Sequence, residues 1–421
     1  MKKELYLDSD TENVDILKKE QRGITLIALV ITIIVLLILA GVTIAMLTGE
    51  NGILTQANIA KEQIDEKSAE EAVQIETAGA FDDNGKYNKD KAKENLEKNL
   101  GIMGITNNGD ILRVTYKGYD FIVDSNGKVF EGKFFAEVEN NSYANKNITI
   151  VDDYNNTFML PEGFKVIVDG TTNNANTVNK GIVIEDNKGN QFVWVPVGTI
   201  NTDTSGTTET IELGRYSFDS NGIASKLKND SYTENTKMEI GKSSYGNAIA
   251  KDIENFIKSA NANYGYYIGR YEAGNNNSEL VCKSEQLVYN NVTQSKAAEL
   301  ARGMYLGKTY ESDLINSYAW DTAIVFIQKC SENKNYSKQG KSGNSIRKTG
   351  ESNDIECNII DMSLNAYEWS TETHSNSDTP CVYRGGYYFY HPSGNTSTRD
   401  AIELTFSYST ISFRPILYEN V

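Results

Sequence analysis

The pattern of apolar and polar positions is broken first by Ile24 to Leu47, ITLIALVITIIVLLILAGVTIAML, a run without a charge. As a helix rising about 1.5 Å per residue it reaches roughly 36 Å, enough to cross a hydrocarbon core of about 30 Å. Beyond it Ile53, Ala57, Ala60 and Ile64 recur at helical spacing while Lys61, Glu62, Asp65, Glu66 and Lys67 fill the positions between, which predicts an amphipathic continuation to about Thr77. From Phe81 to Lys133 the period changes. Lys91 to Leu100 reads as a short helix, and Asp110–Tyr116, Tyr119–Val123 and Lys128–Phe130 as strands joined by Gly and Asn-Gly turns, an antiparallel meander. Residues 139–147, ENNSYANKN, have little to bury and read as a linker. Strand-like runs follow at 164–168, 181–184, 191–197 and 265–272. Three helical patterns lie among and beyond them: Ile249, Ile253, Phe256 and Ile257; Ala297, Leu300, Ala301 and Met304; and Trp320, Ile324 and Ile327, the last capped by Asn316 or Ser317. The reading is an α+β chain: leader 1–23, long hydrophobic helix 24–78, small α/β-meander head 79–138, linker 139–147 and a mixed domain 148–421.

Charge and cysteine content narrow the function. With 57 acidic and 41 basic residues the net charge is −16, and no basic stripe stands outside the first residues, so nucleic acid is not an expected partner. The 25 tyrosines supply amphipathic contact area. Cys282, Cys330, Cys357 and Cys381 allow two disulfides in any of three pairings, and no CxxC spacing suggests zinc. Lys2, Lys3, Lys18, Lys19 and Arg22 precede the apolar run, which predicts a single-pass membrane protein anchored through residues 24–47, with its C-terminal part extracellular.

The junction Lys18-Lys19-Glu20-Gln21-Arg22-Gly23 followed by Ile24-Thr25-Leu26-Ile27 resembles the amino-terminal signature of type IV pilins and pseudopilins. That resemblance implies cleavage by a prepilin peptidase between Gly23 and Ile24, methylation, and association with other pilin subunits. Two positions depart from the family, Ile24 in place of Phe and Ala28 in place of the fifth-residue glutamate that neutralises a neighbour's terminal amine. A filament tip subunit, with nothing above it, does without that glutamate.

A second resemblance rests on YYIGRYEAG at 266–274, SYAWDTAIVFI at 317–327, NIIDMSLNAYEWSTE at 358–372, YRGGYY at 383–388 and SFRPILY at 412–418. In this order they resemble the formylglycine-generating-enzyme or sulfatase-modifying-factor family, a variant of the C-type lectin fold, over about residues 150–418. Oxidases of the family bind copper through paired cysteines between the RGG and GFR motifs, and this chain has no cysteine between Arg384 and Arg414. Iron-dependent relatives need a histidine cluster, and only His374 and His391 exist. Neither copper nor iron is therefore expected, and no catalytic residue is assigned. The family's calcium ligands fall on Asp361, Leu364, Ala366 and Glu368, so Ca²⁺ is implied there; the competing reading pairs Asp361 and Glu368 with Arg384 or Arg414 in a buried polar network.

The stretch 387–410, YYFYHPSGNTSTRDAIELTFSYST, is dense in Tyr, Ser, Asn and Thr, the chemistry of an adaptable binding loop. Variable proteins diversified by retroelements carry their changing residues in this part of the same fold. Phe406 and Tyr408 alternate as core positions, while Tyr387, Tyr388, Tyr390, His391, Asn395 and Arg399 are the candidate ligand contacts. The function read from the sequence is adhesion by a cell-surface or pilus-associated, non-catalytic lectin-like domain that binds an extracellular protein or glycan. The alternatives are a structural minor pilin or pseudopilin of a type IV pilus or type II secretion-like system, and an enzyme of the sulfatase-modifying type.

Overall fold

The computed structural model describes residues 31–37, 52–109, 111–138, 142–167, 177–228, 231–234, 250–340, 343, 345–389 and 394–420. The chain divides into two compact units, Met1–Ala72 and Val73–Val421. The described residues are mostly β-strand with a few short helices, which corrects the α+β reading led by a long hydrophobic helix. Among them no helix is long and apolar enough to cross a membrane. The transmembrane, single-pass and pilin assignments are withdrawn on that finding. The physical reason is visible in the helix Ile53–Ala78, ILTQANIAKEQIDEKSAEEAVQIETA, where acidic and basic side chains recur from Lys61 onward. Residues 31–37 are helical. The remainder of the run 24–47, the leader and the pair Gly23–Ile24 lie outside the described residues.

In the second unit the helix Lys89–Leu100 opens on Asn88, whose side chain accepts the amide of Lys91, and closes on Gly101 in the left-handed conformation (φ 65°). It leads into a six-stranded sheet taken in chain order: Thr106–Asn108, Ile111–Tyr116, Tyr119–Val123, Val129–Phe134, Ile148–Val151 and Thr157–Leu160. The fourth and fifth strands pair in parallel, so the sheet continues across residues 139–147.

A recurring device turns the hairpins. Asp124, Asp152, Asp186 and Asp219 each accept, through one carboxylate oxygen, the amides two and four residues further on, at 2.7 to 2.9 Å. The carboxylate takes over donors the turn would otherwise leave unpaired, which is why Asp begins these turns.

A second six-stranded sheet has the order Tyr310–Leu314, Pro415–Glu419, Gly265–Gly269, Gln191–Pro196, Val183–Asp186, Phe164–Val166. Its core is aromatic: Trp194 and Tyr267 meet at 4.9 Å between centroids, and Phe256 lies edge-on to Tyr266 and Tyr418. The helices Ile253–Ala262, Gln294–Arg302 and Ser317–Cys330 accompany it. Asn316 caps the last, accepting the amide of Ala319 at 2.9 Å, and ten of that helix's residues from Ser317 to Ile327 are buried. Such a helix is held by packing on nearly every side rather than along one stripe.

The third sheet carries the candidate site. Tyr232–Thr233, Tyr367–His374, Cys381–Arg384 and Arg399–Ile402 are antiparallel neighbours, and Ile411–Phe413 adds in parallel to Tyr367–Trp369.

Candidate ligand-binding site

On the strand Tyr367–His374, Glu368 pairs across from Arg384 and Trp369 from Tyr383, so Glu368 and Arg384 share one face and Tyr367, Trp369 and Tyr383 the other; beyond an irregularity between Trp369 and Thr373, Glu372 rejoins the charged groups. The charged face is buried. Glu372, Asp321 and Arg384 are fully enclosed, and Arg399 shows 9 % of its side chain. Arg384 Nη2 donates to Asp321 Oδ1 at 2.5 Å, Arg399 Nη2 donates to Asp321 Oδ2 at 2.6 Å, and Arg399 Nε donates to Glu372 Oε2 at 2.8 Å. Arg215 donates to the other oxygen of Glu372. Arg384 and Arg399 are directly opposite in the strand register, a repulsive arrangement that two carboxylates between them offset. Burial works against ionisation of Asp321, and Arg384 and Arg399 overcome it, holding its carboxyl below the usual range. Glu234, half-buried, accepts the Ser317 amide at 2.6 Å and the Thr371 hydroxyl at 2.9 Å; burial and the neighbouring Glu372 push it up to about 7.

A separate pair ties this sheet to the second one. Arg414 donates to Glu368 through Nε at 3.0 Å and Nη2 at 2.6 Å, to the Gly269 carbonyl at 2.8 Å and to the Ile360 carbonyl at 2.7 Å. Burial opposes the charge on Arg414, and Glu368 more than restores it.

Both Glu368 oxygens already face a cation, the guanidinium of Arg414, so Asp361, Leu364, Ala366 and Glu368 do not fit Ca²⁺, which needs several free oxygens. Of the two polar-network pairings open to Glu368, the structure makes the one with Arg414. Asp361, with φ 70°, accepts the Gly350 amide at 3.2 Å through Oδ2, and its Oδ1 is buried without a partner; burial pushes its carboxyl up to about 6. Left-handed backbone falls at Asp361 and Asn365 rather than at Leu364, so leucine is accommodated there without backbone strain. Among the described residues no group of three or more His, Cys, Asp or Glu side chains is arranged to hold a metal ion.

The opposite face presents aromatic rings. Tyr367 stacks on Tyr387 at 4.5 Å and 30° and lies 4.8 Å from Tyr383; Tyr387 in turn meets Tyr388 at 5.6 Å and Phe389 at 6.3 Å. The series runs from a sheet-held, half-buried end to an open one, where Phe389 is 62 % exposed. Tyr383 is anchored by its hydroxyl, which donates to Asp400 at 2.9 Å, and Trp369 beneath it donates to the Val292 carbonyl at 2.9 Å.

The two glycines of the RGG motif set the height of this ladder. Gly385 has φ 85°, and a Cβ there would lie 2.7 Å from the Met362 carbonyl; one on Gly386 would run into the Ser363 carbonyl. Close backbone approach therefore delivers Tyr387 and Tyr388, with Tyr388 donating its amide to Asn365 at 3.0 Å. Gly386→Ala is expected to lower stability by roughly 2 kcal/mol through overpacking against this backbone, read as the shift of the denaturant midpoint.

The six sequence-chosen ligand contacts are thus distributed differently. Tyr387 and Tyr388 belong to the aromatic series, while Tyr390 and His391 lie outside the described residues. Asn395 folds back on its own turn, accepting the Ser397 amide at 3.1 Å and hydroxyl at 2.9 Å. Arg399 is committed to Asp321 and Glu372. Both nevertheless line an open cleft of about 500 Å³ with Tyr216, Phe218, Tyr232 and Lys338. Phe406 and Tyr408 correct the expectation of core positions: they stack on each other at 5.8 Å, Phe406 half-buried and Tyr408 55 % exposed. Tyr367, Tyr383 and Phe389 were missed, although the first two could have been found from their alternation with Glu368 and Arg384 on paired strands.

No protein-family model matches the chain, and nothing among curated proteins matches it. Similar solved structures include CarF, 14 % identical over 37 % of this chain and 86 % of that one with a TM-score of 0.26. Treponema denticola variable protein 1 is 14 % identical over 61 % and 99 % with a TM-score of 0.25. The U1 variant of the major tropism determinant is 10 % identical over 78 % and 88 % with a TM-score of 0.27. Likenesses at these scores carry no argument about fold or function, which rest here on the geometry alone.

Proposed function

We propose that this chain is a non-catalytic binding protein whose ligand, a protein or a glycan, docks on the aromatic series Tyr383, Tyr367, Tyr387, Tyr388 and Phe389. The observation that carries the reading is the graded exposure of stacked rings on a strand pair whose reverse face is locked by buried ion pairs. Tyr and Phe offer large contact area at the cost of ordering only two side-chain torsions each, and rings already stacked in the free protein have less freedom left to lose on binding. The polar cleft with Asn395, Lys338 and Tyr232 supplies hydrogen-bonding groups elsewhere on the same sheet and its loops. Aromatic anchors beside polar rims are the usual source of binding energy in such sites.

The test is a screen of the purified chain on a glycan array and against immobilised cell-surface proteins, followed by Tyr387→Ala and Phe389→Ala. For the ligand found, Tyr387→Ala is expected to weaken binding by at least tenfold, about 1.4 kcal/mol, with an unchanged unfolding midpoint for Phe389→Ala as the control of fold. Ligand binding that survives both substitutions would place the site elsewhere.

A further inference from the structure

The four cysteines are free thiols in this structure, and their positions are unequal. Cys282 is enclosed and donates its thiol hydrogen to the Tyr271 carbonyl at 3.3 Å. Cys381 lies on the strand Cys381–Arg384 in a separate apolar cluster with Trp369 and Phe413. Cys330 and Cys357, by contrast, are both half-buried against one cluster, the large core around Trp194 and Trp320. Cys330 is the last residue of the helix Ser317–Cys330. Cys357 begins the two-residue turn between Ile355–Glu356 and Ile359–Ile360. A hydrogen bond from Asn333 Nδ2 to Glu356 Oε1 at 3.0 Å ties the chain just after Cys330 to the residue just before Cys357.

The turn itself singles out its cysteine. Cys357 and Asn358 have φ 47° and 63°, the paired left-handed conformation of a type I′ hairpin, which favours Asn, Asp or Gly at its first position. A cysteine there is disfavoured by its backbone, so its side chain is the reason to look for a role. The turn is also seated firmly: Asn358 Nδ2 donates to the Gly181 carbonyl at 2.7 Å, and the Cys357 carbonyl packs on Gly181 so closely that no Cβ would fit.

We propose that Cys330 and Cys357 form a disulfide that closes the base of the segment between them. That segment reaches the aromatic face: the Gly343 amide donates to the Tyr388 carbonyl at 2.6 Å, the Arg347 amide to Asn365 Oδ1 at 2.8 Å, and the Gln339 carbonyl accepts the Thr396 amide at 3.0 Å. Chemically, the two thiols exchange with an external low-molecular-mass disulfide. One protein thiolate attacks it and expels a thiolate; the second attacks the mixed disulfide and expels another. The protein S–S bond forms, the external disulfide is reduced to two thiols, and these take up the two protons. Burial raises both cysteines, Cys330 to about 12 and Cys357 well above its ordinary value with the neighbouring Cys330 thiol as a second cause, so few thiolates exist in the folded chain. The bond accordingly closes during folding and is then protected from reductant.

The experiment refolds the full chain from denaturant in a mixture of reduced and oxidised glutathione. It then blocks free thiols with an alkylating agent under denaturing conditions and maps the peptides without reduction. The expected result is one cross-linked pair holding Cys330 and Cys357, with Cys282 and Cys381 alkylated. Four alkylated cysteines, or a link through Cys282 or Cys381, would overturn the proposal. A chain carrying Cys282→Ala and Cys381→Ala must still form the link, which keeps the test decisive where Cys330→Ser fails to fold.

Discussion

Arg414→Met is expected to destabilise the protein by about 3–5 kcal/mol, a fall of roughly 5 °C in the unfolding midpoint for a unit of this size. The guanidinium is fully buried, and its loss strands the Glu368 carboxylate together with the carbonyls of Gly269 and Ile360. An unpaired buried charge is far more costly than an absent pair. Adding Glu368→Met to Arg414→Met is therefore expected to recover part of the loss, the remainder reflecting the two carbonyls left without donors. Calorimetry on the two single variants and the double variant completes the cycle. Equal destabilisation of Arg414→Met and the double variant would mean that the pair is not what joins the two sheets.

Between pH 5 and 8 the protein is expected to lose stability as the pH rises, and Glu234 contributes to that slope alongside Glu272, Asp152 and Asp361, whose carboxyls burial also raises. Its folded value is about 7 against an ordinary 4.5, so the folded state holds this proton more tightly than the unfolded chain does. The contribution is complete below the unfolded value, declines as pH passes upward, and is gone above the folded value; its size is at most about 3 kcal/mol. The groups facing Glu234 are Glu372, Arg215, the Ser317 amide and the Thr371 hydroxyl, and Glu372 is the one that disfavours its charge. Asp361, pushed up to about 6, adds a slope of the same sign at lower pH. Glu234→Gln is expected to flatten the profile and to be the more stable chain at pH 8. Denaturant titrations at pH 5, 6, 7 and 8 measure this directly, and a midpoint that climbs with pH in that window would exclude a protonated Glu234.

Local patterns were legible where neighbours in sequence decide the outcome. Asn316 as a helix cap, the Gly and Asn-Gly turns of the meander and the strands around Val193 and Ile268 follow from turn chemistry, capping and alternation, all of which act over a few residues. The apolar run 24–47 was equally legible as composition, yet the long membrane helix built on it was corrected: the described helix that follows, Ile53–Ala78, carries charges from Lys61 onward, and none described is long and apolar enough to cross a membrane.

The site was legible in part. The richness of 387–410 in tyrosine singles out Tyr387 and Tyr388, which the structure sets in the aromatic series, whereas the ion pairs of Arg399 and the exposure of Tyr408 were not legible there. A strand's alternation says that two sets of side chains diverge, not which set meets water.

By itself the sequence determined local helix and strand patterns and turn residues, and it holds no cysteine between Arg384 and Arg414. Tertiary structure alone decided the partners of the charges. Arg414 finds Glu368, 46 positions away; Arg384 finds Asp321 at 63; and Arg215 finds Glu372 at 157. No local rule encodes such distances, because an ion pair is specified by which strands become neighbours and by the burial that follows. The same assembly set the Arg414 guanidinium on both oxygens of Glu368 and brought the rings of Tyr367, Tyr383 and Tyr387, from two strands and one loop, together on the outer face.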